Sequence, residues 1–241
     1  MQQRLPSMLQ PPWLFAHRGA RAHERENTMA AFRLAVKLGA TGLESDVWLT
    51  NDGVAVLDHD GVVGRRWRQQ SIADVASTAL PDHIPTLAEL AELAVTHNMA
   101  LSLDVKNPTA YATVQRTIVE ISPELLRRSY ICCENFAVLC EVAPQFHDML
   151  LVDSSRFATL KDGPERRLAQ LKDLGVTALN MHHSDWNGGL VTLAHRFERL
   201  AFAWDVQFEH QLTTTVRMGI DGLYSDWVDR MVDVARNEAP L

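Results

Sequence analysis

Short apolar runs alternate with helix-length stretches from one end of the chain to the other, and this alternation limits the fold more than any other feature. Strands are expected at 14–16, 42–46, 101–106, 129–133, 149–153, 178–182, 200–206 and 221–225. Helical patterns fall between them. Asn27 or Thr28 can cap a helix whose Met29, Phe32 and Val36 share one face. Pro85 opens another, with Leu87, Leu90 and Leu93 on one side. Further helices are expected near 109–121, 135–142, 164–173, 188–198, 209–218 and 227–236. Eight strands, each followed by a helix, is the count of an α/β protein of the (β/α)8 TIM-barrel type. A length of 241 residues suits one such domain, and no repeat or linker divides 1–241.

One run does not fit that count. "VAVLDHD" (54–60) follows the second strand after only "WLTNDG", too short for the crossover a parallel neighbour needs. Asp52-Gly53 is a hairpin turn signal instead. Folding 44–59 as an antiparallel arm sets Glu44 roughly opposite His59, with Glu44 and Asp46 on one side of the strand. The chain is therefore read as a barrel with a β-hairpin and short insertion, about 47–84, at its mouth, the stretch 61–84 capping that mouth.

In such barrels the working residues sit at the C-terminal strand ends. His17 and Arg18 end the first strand, Glu44 and Asp46 the second, and Asp104 and Lys106 the third. Three crowded carboxylates repel one another unless a cation joins them, and an all-oxygen donor set suits one divalent cation, Mg²⁺ or Ca²⁺. Arg18 and Lys106 would hold a phosphate, while His17 and His59 supply an acid and a base that titrate near neutrality. Each element has a plainer reading. Glu44-x-Asp46 could be a solvated strand edge, His59 a turn residue, and Arg18 a surface partner of Glu24 or Glu26. Their common position at one end of the barrel favours a site.

The net charge of −7 argues against nucleic acid as a partner, so positive charge must be local. No run of 18 apolar residues spans a membrane, and MQQRLPSMLQPPW lacks the apolar core of a signal peptide. The absence of an amphipathic membrane helix or polybasic stretch points to no stable membrane insertion and to a water-soluble small-molecule substrate. Cys132, Cys133 and Cys140 read as reduced, packed thiols, and hence a cytoplasmic protein.

The stretch from Ala16 to Asp60, with "HRGA", "RENTMAAF", "LESDVWLTNDG" and "LDHD" in order, resembles the glycerophosphodiester phosphodiesterase family. That family shares its barrel with phosphatidylinositol-specific phospholipase C. "PTLAEL", "DVK", "HH" at 182–183, "AWDVQ" and "GIDGLYSD" extend the likeness over roughly 14–227. The resemblance implies metal-dependent hydrolysis of glycerophosphodiesters to glycerol 3-phosphate and an alcohol. His17 and His59 match its acid/base pair, Glu44, Asp46 and Asp104 its metal ligands, and Arg18 and Lys106 its phosphate-contacting cations. Glu26 and Asn27 match a cluster that supports the site, although Asn27 could equally be a helix cap. Trp204 matches a tryptophan lining the alcohol end, the alternative being barrel core; His182 is either a substrate contact or a packed strand-end histidine. Arg25 stands in place of the usual proline, Asp104 of glutamate, Gln207 of asparagine and Ser225 of threonine, and "CCENF" replaces a Ser-Phe pair. Other outcomes of this pattern are a lysophospholipase D-like or sphingomyelinase D-like enzyme, or an inert ligand-binding barrel. Retention of both histidines, the carboxylates and both cations favours hydrolysis.

Overall fold

The computed structural model describes residues 4–64 and 67–238. Its strands are β1 (Trp13–Ala16), β2 (Gly42–Leu49), β3 (Ala55–Leu57), β4 (Val62–Val63), β5 (Gln70–Ser71), β6 (Ala100–Val105), β7 (Ser129–Cys133), β8 (Leu150–Ser155), β9 (Ala178–His182), β10 (Leu200–Trp204) and β11 (Gly222–Ser225). The helices are α1 (Met29–Leu38), α2 (Leu87–Thr96), α3 (Tyr111–Ile121), the single turn α4 (Pro123–Leu126), α5 (Phe136–Val142), α6 (Gly163–Asp173), α7 (Gly188–Arg196), α8 (Glu209–Arg217) and α9 (Val228–Glu238). Strands β1, β2 and β6 to β11 are parallel, each bonded to the next, and β11 returns to β1. The sheet is closed, and the helices pack around it, as in a (β/α)8 barrel.

The hairpin forms, but not in the expected register. Val47 pairs with Leu57, Trp48 with Val56 and Leu49 with Ala55. Continuing that ladder sets Asp46 against Asp58, whose N–H donates to the Asp46 carbonyl (3.2 Å), so Glu44 does not face His59. The chain leaves the ladder after Leu57. Gly61, at φ +66°, then lies so close against the Trp48 indole that a Cβ there would be 2.4 Å from its ring. This turn carries His59 outward. The remainder of the insertion folds back along the arm. β4 and β5 pair antiparallel, Ile72 donates to the Gly61 carbonyl (2.9 Å), and Asp52 accepts from the Ser77 N–H and hydroxyl (3.0 and 2.8 Å). Arg65 and Arg66 of this insertion lie outside the described residues.

Side chains alternate along each strand, and the inward set divides into two storeys. The lower one is apolar: Phe15, Tyr130, Phe202 and Tyr224 pack as an aromatic plug, with Phe15 stacked on Tyr224 (centroids 4.8 Å) and Tyr130 edge-on to Phe202 (5.0 Å). Glycines leave room for it. A Cβ on Gly42 would sit 2.4 Å from the Phe15 ring, and one on Gly222 2.7 Å from Phe202. Two residues further up most of the strands the inward side chains become polar, as at His17, Glu44, Ser102, Ser154 and Asn180, so the plug is the floor on which the site stands. We expect Gly42→Ala to lose about 1–3 kcal/mol, the usual cost of overpacking. Adding Phe15→Leu should recover part of that loss, as checked by urea denaturation of the single and double variants.

Candidate active site

β1 ends in a turn that only this local sequence permits. Arg18 takes a left-handed conformation (φ 52°), and Gly19 follows at φ +81°. A Cβ on Gly19 would lie 2.7 Å from that of Ala31 in α1, so a side chain is excluded there by space as well as by dihedral. The turn directs the Arg18 N–H onto Glu44 (2.8 Å) and its guanidinium toward Asp46 (Nε to Oδ2 3.3 Å) and Glu26 (3.2 Å). Asn27 is also left-handed (φ 53°) and does not cap α1; Thr28 does, accepting from the Ala31 N–H. The Asn27 amide instead donates to Asp46 (3.3 Å) and accepts from the Ser45 hydroxyl (2.7 Å).

The β2–β6 register pairs Asp46 with Asp104 and Glu44 with Ser102. Lys106 reaches across both strands, its ammonium 3.1 Å from Asp46 and bonded to Asp104, with Glu134 at 3.4 Å. These groups line one cavity of about 480 Å³, together with His17, Arg18, Glu44, His59, Arg156, Trp204 and Asp205. His17, Arg18, Glu44, Asp46, Asp104 and Lys106, at the ends of the adjacent strands β1, β2 and β6, form one wall, and His59 and Trp204 line the same cavity. Glu26 and Asn27 lie behind that wall, holding Arg18 and Asp46. His182 lies behind Trp204, edge-on at 4.7 Å, bonded to Ser184 (2.7 Å) and Asp205 (3.1 Å). Segment 61–84 contributes no described residue to the cavity, contrary to its expected capping role, because it packs along the hairpin. The outer wall comes instead from the loops after β7, β8 and β10, through Glu134, Arg156 and Asp205.

The electrostatics follow from burial. Glu44 has its carboxyl pushed up by burial, which outweighs the pull of His17 and the Arg18 N–H. Burial likewise pushes Asp104 up to about 7 despite Lys106. Lys106 runs the other way: burial lowers it, but the Asp104 and Asp46 charges more than reverse this. Burial also lowers His17, and here Glu44 (3.9 Å from Nε2) and Asp226 prevail, so its pKa is raised. Cys132, on the cavity floor, is pushed up to about 12 by burial, a packed thiol and not a nucleophile.

Asp226 is the residue that sequence reasoning missed. Its Oδ1 lies 2.7 Å from His17 Nδ1, an interaction spanning 209 positions in the chain. A signal for it existed in the strand alternation, since Asp226 follows Tyr224 of the plug by two residues. A carboxylate on Nδ1 holds the ring so that Nε2 faces the cavity side.

The donor set fits a hard cation in kind: three carboxylates from two adjacent strands, two of them, Glu44 and Asp104, raised by burial. In the arrangement described, Arg18 and Lys106 supply the positive charge beside them. Among the described residues no group of three His, Cys, Asp or Glu side chains gathers as a ready-made cation site.

The C-terminal mouth of this closed barrel thus gathers two imidazoles, two cations and three carboxylates in one cavity. The model of the glycerophosphoryl diester phosphodiesterase family matches residues 17–230, and the chain belongs to that family. It is 36% identical over 135 residues to mouse glycerophosphodiester phosphodiesterase 1, covering 48% of this chain and 41% of the mouse protein. The chain thus matches less than half the length of that relative. It is 23% identical over 255 residues to the glycerophosphodiester phosphodiesterase of Caldanaerobacter subterraneus, covering 92% of this chain and 97% of that protein. Among solved structures, an Oleispira antarctica phosphodiesterase in complex with the product sn-glycerol-3-phosphate superposes with a TM-score of 0.74 at 21% identity, covering 92% and 96% of the two chains. The Thermotoga maritima glycerophosphodiester phosphodiesterase gives 0.77 at 21% identity over 92% and 97%.

Asp226→Asn removes a charge that raises His17 and leaves only a weaker, neutral acceptor for its Nδ1 hydrogen bond. The His17 pKa should fall, and an NMR titration of the histidine ring protons reads this directly.

Proposed function

We propose that this chain hydrolyses glycerophosphodiesters to glycerol 3-phosphate and an alcohol, with His17 and His59 as the proton-transfer pair. One observation carries the reading: both imidazoles, Arg18 and Lys106 line the same cavity as Glu44, Asp46 and Asp104. Family membership supports it, and so does the product bound in the Oleispira antarctica relative. Arg18 and Lys106 contact the phosphate, and Trp204 faces the alcohol end. Among the described residues no helix is long and apolar enough to cross a membrane. The polar and charged lining of the cavity favours a water-soluble diester as the substrate.

No described serine, cysteine or threonine of the cavity bonds a histidine, and the one carboxylate that a cavity serine meets, Asp153 beside Ser155 (2.7 Å), is paired with buried Arg167 (2.7 Å), so a covalent enzyme intermediate is disfavoured. The attacking group is the glycerol 2-hydroxyl. One histidine takes its proton as its oxygen bonds to phosphorus, and the other protonates the leaving alcohol oxygen as the P–O bond breaks. Water then opens the cyclic glycerophosphate to glycerol 3-phosphate, with the histidines exchanging roles. An internal hydroxyl has a proximity advantage on the order of 7–11 kcal/mol in the best-oriented cases. Glu44, Asp46 and Asp104 would hold one divalent cation, Mg²⁺ or Ca²⁺. When bound, it would offset the negative charge of the phosphate and of the buried carboxylates.

His59→Ala should lower turnover of glycerophosphocholine by roughly 10²–10⁴-fold, the usual worth of a positioned proton-transfer group. Near-normal turnover would remove His59 from the reaction. An analogue lacking the 2-hydroxyl should be inert, and its hydrolysis at the normal rate would make water the nucleophile. For the cation, titration calorimetry with Mg²⁺ and Ca²⁺ should show one site in the native protein and none in Glu44→Gln. Asp104→Glu should retain binding better than Asp104→Asn, because it keeps the charge.

A further inference from the structure

Gln207 lies outside the cavity wall, yet its bonds converge on the group that holds His17. The loop after β10 is stitched to the end of β11, with the Val206 N–H donating to the Tyr224 carbonyl at 3.0 Å. The main chain of Gln207 is fixed on both sides. Its N–H donates to Gln211 Oε1 (3.0 Å), and its carbonyl accepts from Arg230 Nη1 (2.7 Å). Its side-chain amide then works in two directions. Nε2 donates to Asp205 Oδ1 at 3.0 Å, while Oε1 accepts from the Asp226 N–H at 3.0 Å and the Ser225 hydroxyl at 3.3 Å. Asp226 in turn meets His17 Nδ1 at 2.7 Å. Asp205 lies on the cavity wall beside Trp204.

We propose that Gln207 is a positioning residue for His17. By holding the Asp226 main chain and the Asp205 carboxylate together, it fixes the imidazole's aim and ties it to the wall facing the substrate's alcohol. The proposal rests on the reading of His17 as a proton-transfer group. Only an amide of this length fills the role. A glutamate could accept from Asp226 but not donate to Asp205, and would put a third carboxylate between the two. A leucine would fill the space and make neither bond.

The test uses the whole chain with Gln207→Leu, Gln207→Glu and Gln207→Asn. The first readout needs no substrate: the NMR signal of the His17 Nδ1–H proton bonded to Asp226, and its exchange with water. In Gln207→Leu and Gln207→Glu this proton should exchange faster than in the native protein, with Gln207→Asn, one methylene shorter, in between. The second readout is kinetic. With glycerophosphocholine, kcat should fall roughly 10–100-fold, the usual cost of losing an orienting partner, while KM changes little. If Gln207→Leu fails to fold, Gln207→Glu and Gln207→Asn carry the test. A lowered melting temperature with an unchanged His17 proton and unchanged kcat would make Gln207 a loop staple only and overturn the proposal. A protected His17 proton that responds to Gln207, in a native protein that does not hydrolyse the diester, would instead overturn the functional reading and leave the positioning intact.

Discussion

Asp46 is only 3% exposed, and the mouth of the barrel is built around it. Arg18 approaches it from β1, Lys106 from the end of β6, and the Asn27 amide from the turn before α1. A buried carboxylate is tolerable only with such partners, and breaking one contact of a buried ion pair typically costs about 3–5 kcal/mol because the remaining charge is stranded. Each partner is itself committed elsewhere. Arg18 also bonds Glu26, Lys106 also bonds Asp104, and the Arg18 N–H also holds Glu44. The positive charge that an anionic substrate would need is thus present locally in a chain of net charge −7, stored against the carboxylates.

This network works because something dry lies beneath it. The plug of Phe15, Tyr130, Phe202 and Tyr224 seals the lower barrel, and the Tyr224 hydroxyl, 2.9 Å from the Ser102 hydroxyl, marks the boundary with the polar storey. Charges on such a floor have apolar matter on one side and the cavity on the other. That asymmetry raises the Glu44 and Asp104 carboxyls and makes a cation, whether a lysine or a metal, valuable at this point.

The side of the cavity around Trp204, proposed to face the alcohol, is built differently. Arg156 lies over the Trp204 ring (5.6 Å to the centroid) and is anchored by Asp185 at 2.6 Å, while Asp205 faces His182. Trp204 and His182 end β10 and β9, but Arg156, Asp185 and Asp205 come from loops, the part of a barrel that varies without disturbing strand register. The side with Arg18 and Lys106, proposed to take the phosphate, is by contrast held by strand ends and by a turn that tolerates no side chain at Gly19. On the proposed function, substrate preference and chemistry are carried by different parts of the fold.

Much of this was legible in the linear chain, because it is encoded by near neighbours. The alternation gave all eight barrel strands to within three residues, and Asp52-Gly53 marked the hairpin. The strand ends named the charged residues, and the two-residue period placed Glu44 and Asp46 on one side. Other features depended on how distant segments meet. The bonded register of β2 and β3 put Asp58, not His59, along the ladder beyond Leu57, and a glycine packed on Trp48 sent His59 to the mouth. The collapse of 61–84 along the hairpin was decided by contacts such as Ile72 with Gly61. The pairing of His17 with Asp226, and of Asp226 with Gln207, joins the first strand to the last and exists only once the sheet has closed. The sequence by itself determined which residues stand at the ends of which strands, since that follows from local period and turn chemistry. The closed barrel alone decided which of them touch, since contact between strand ends is a property of register and closure.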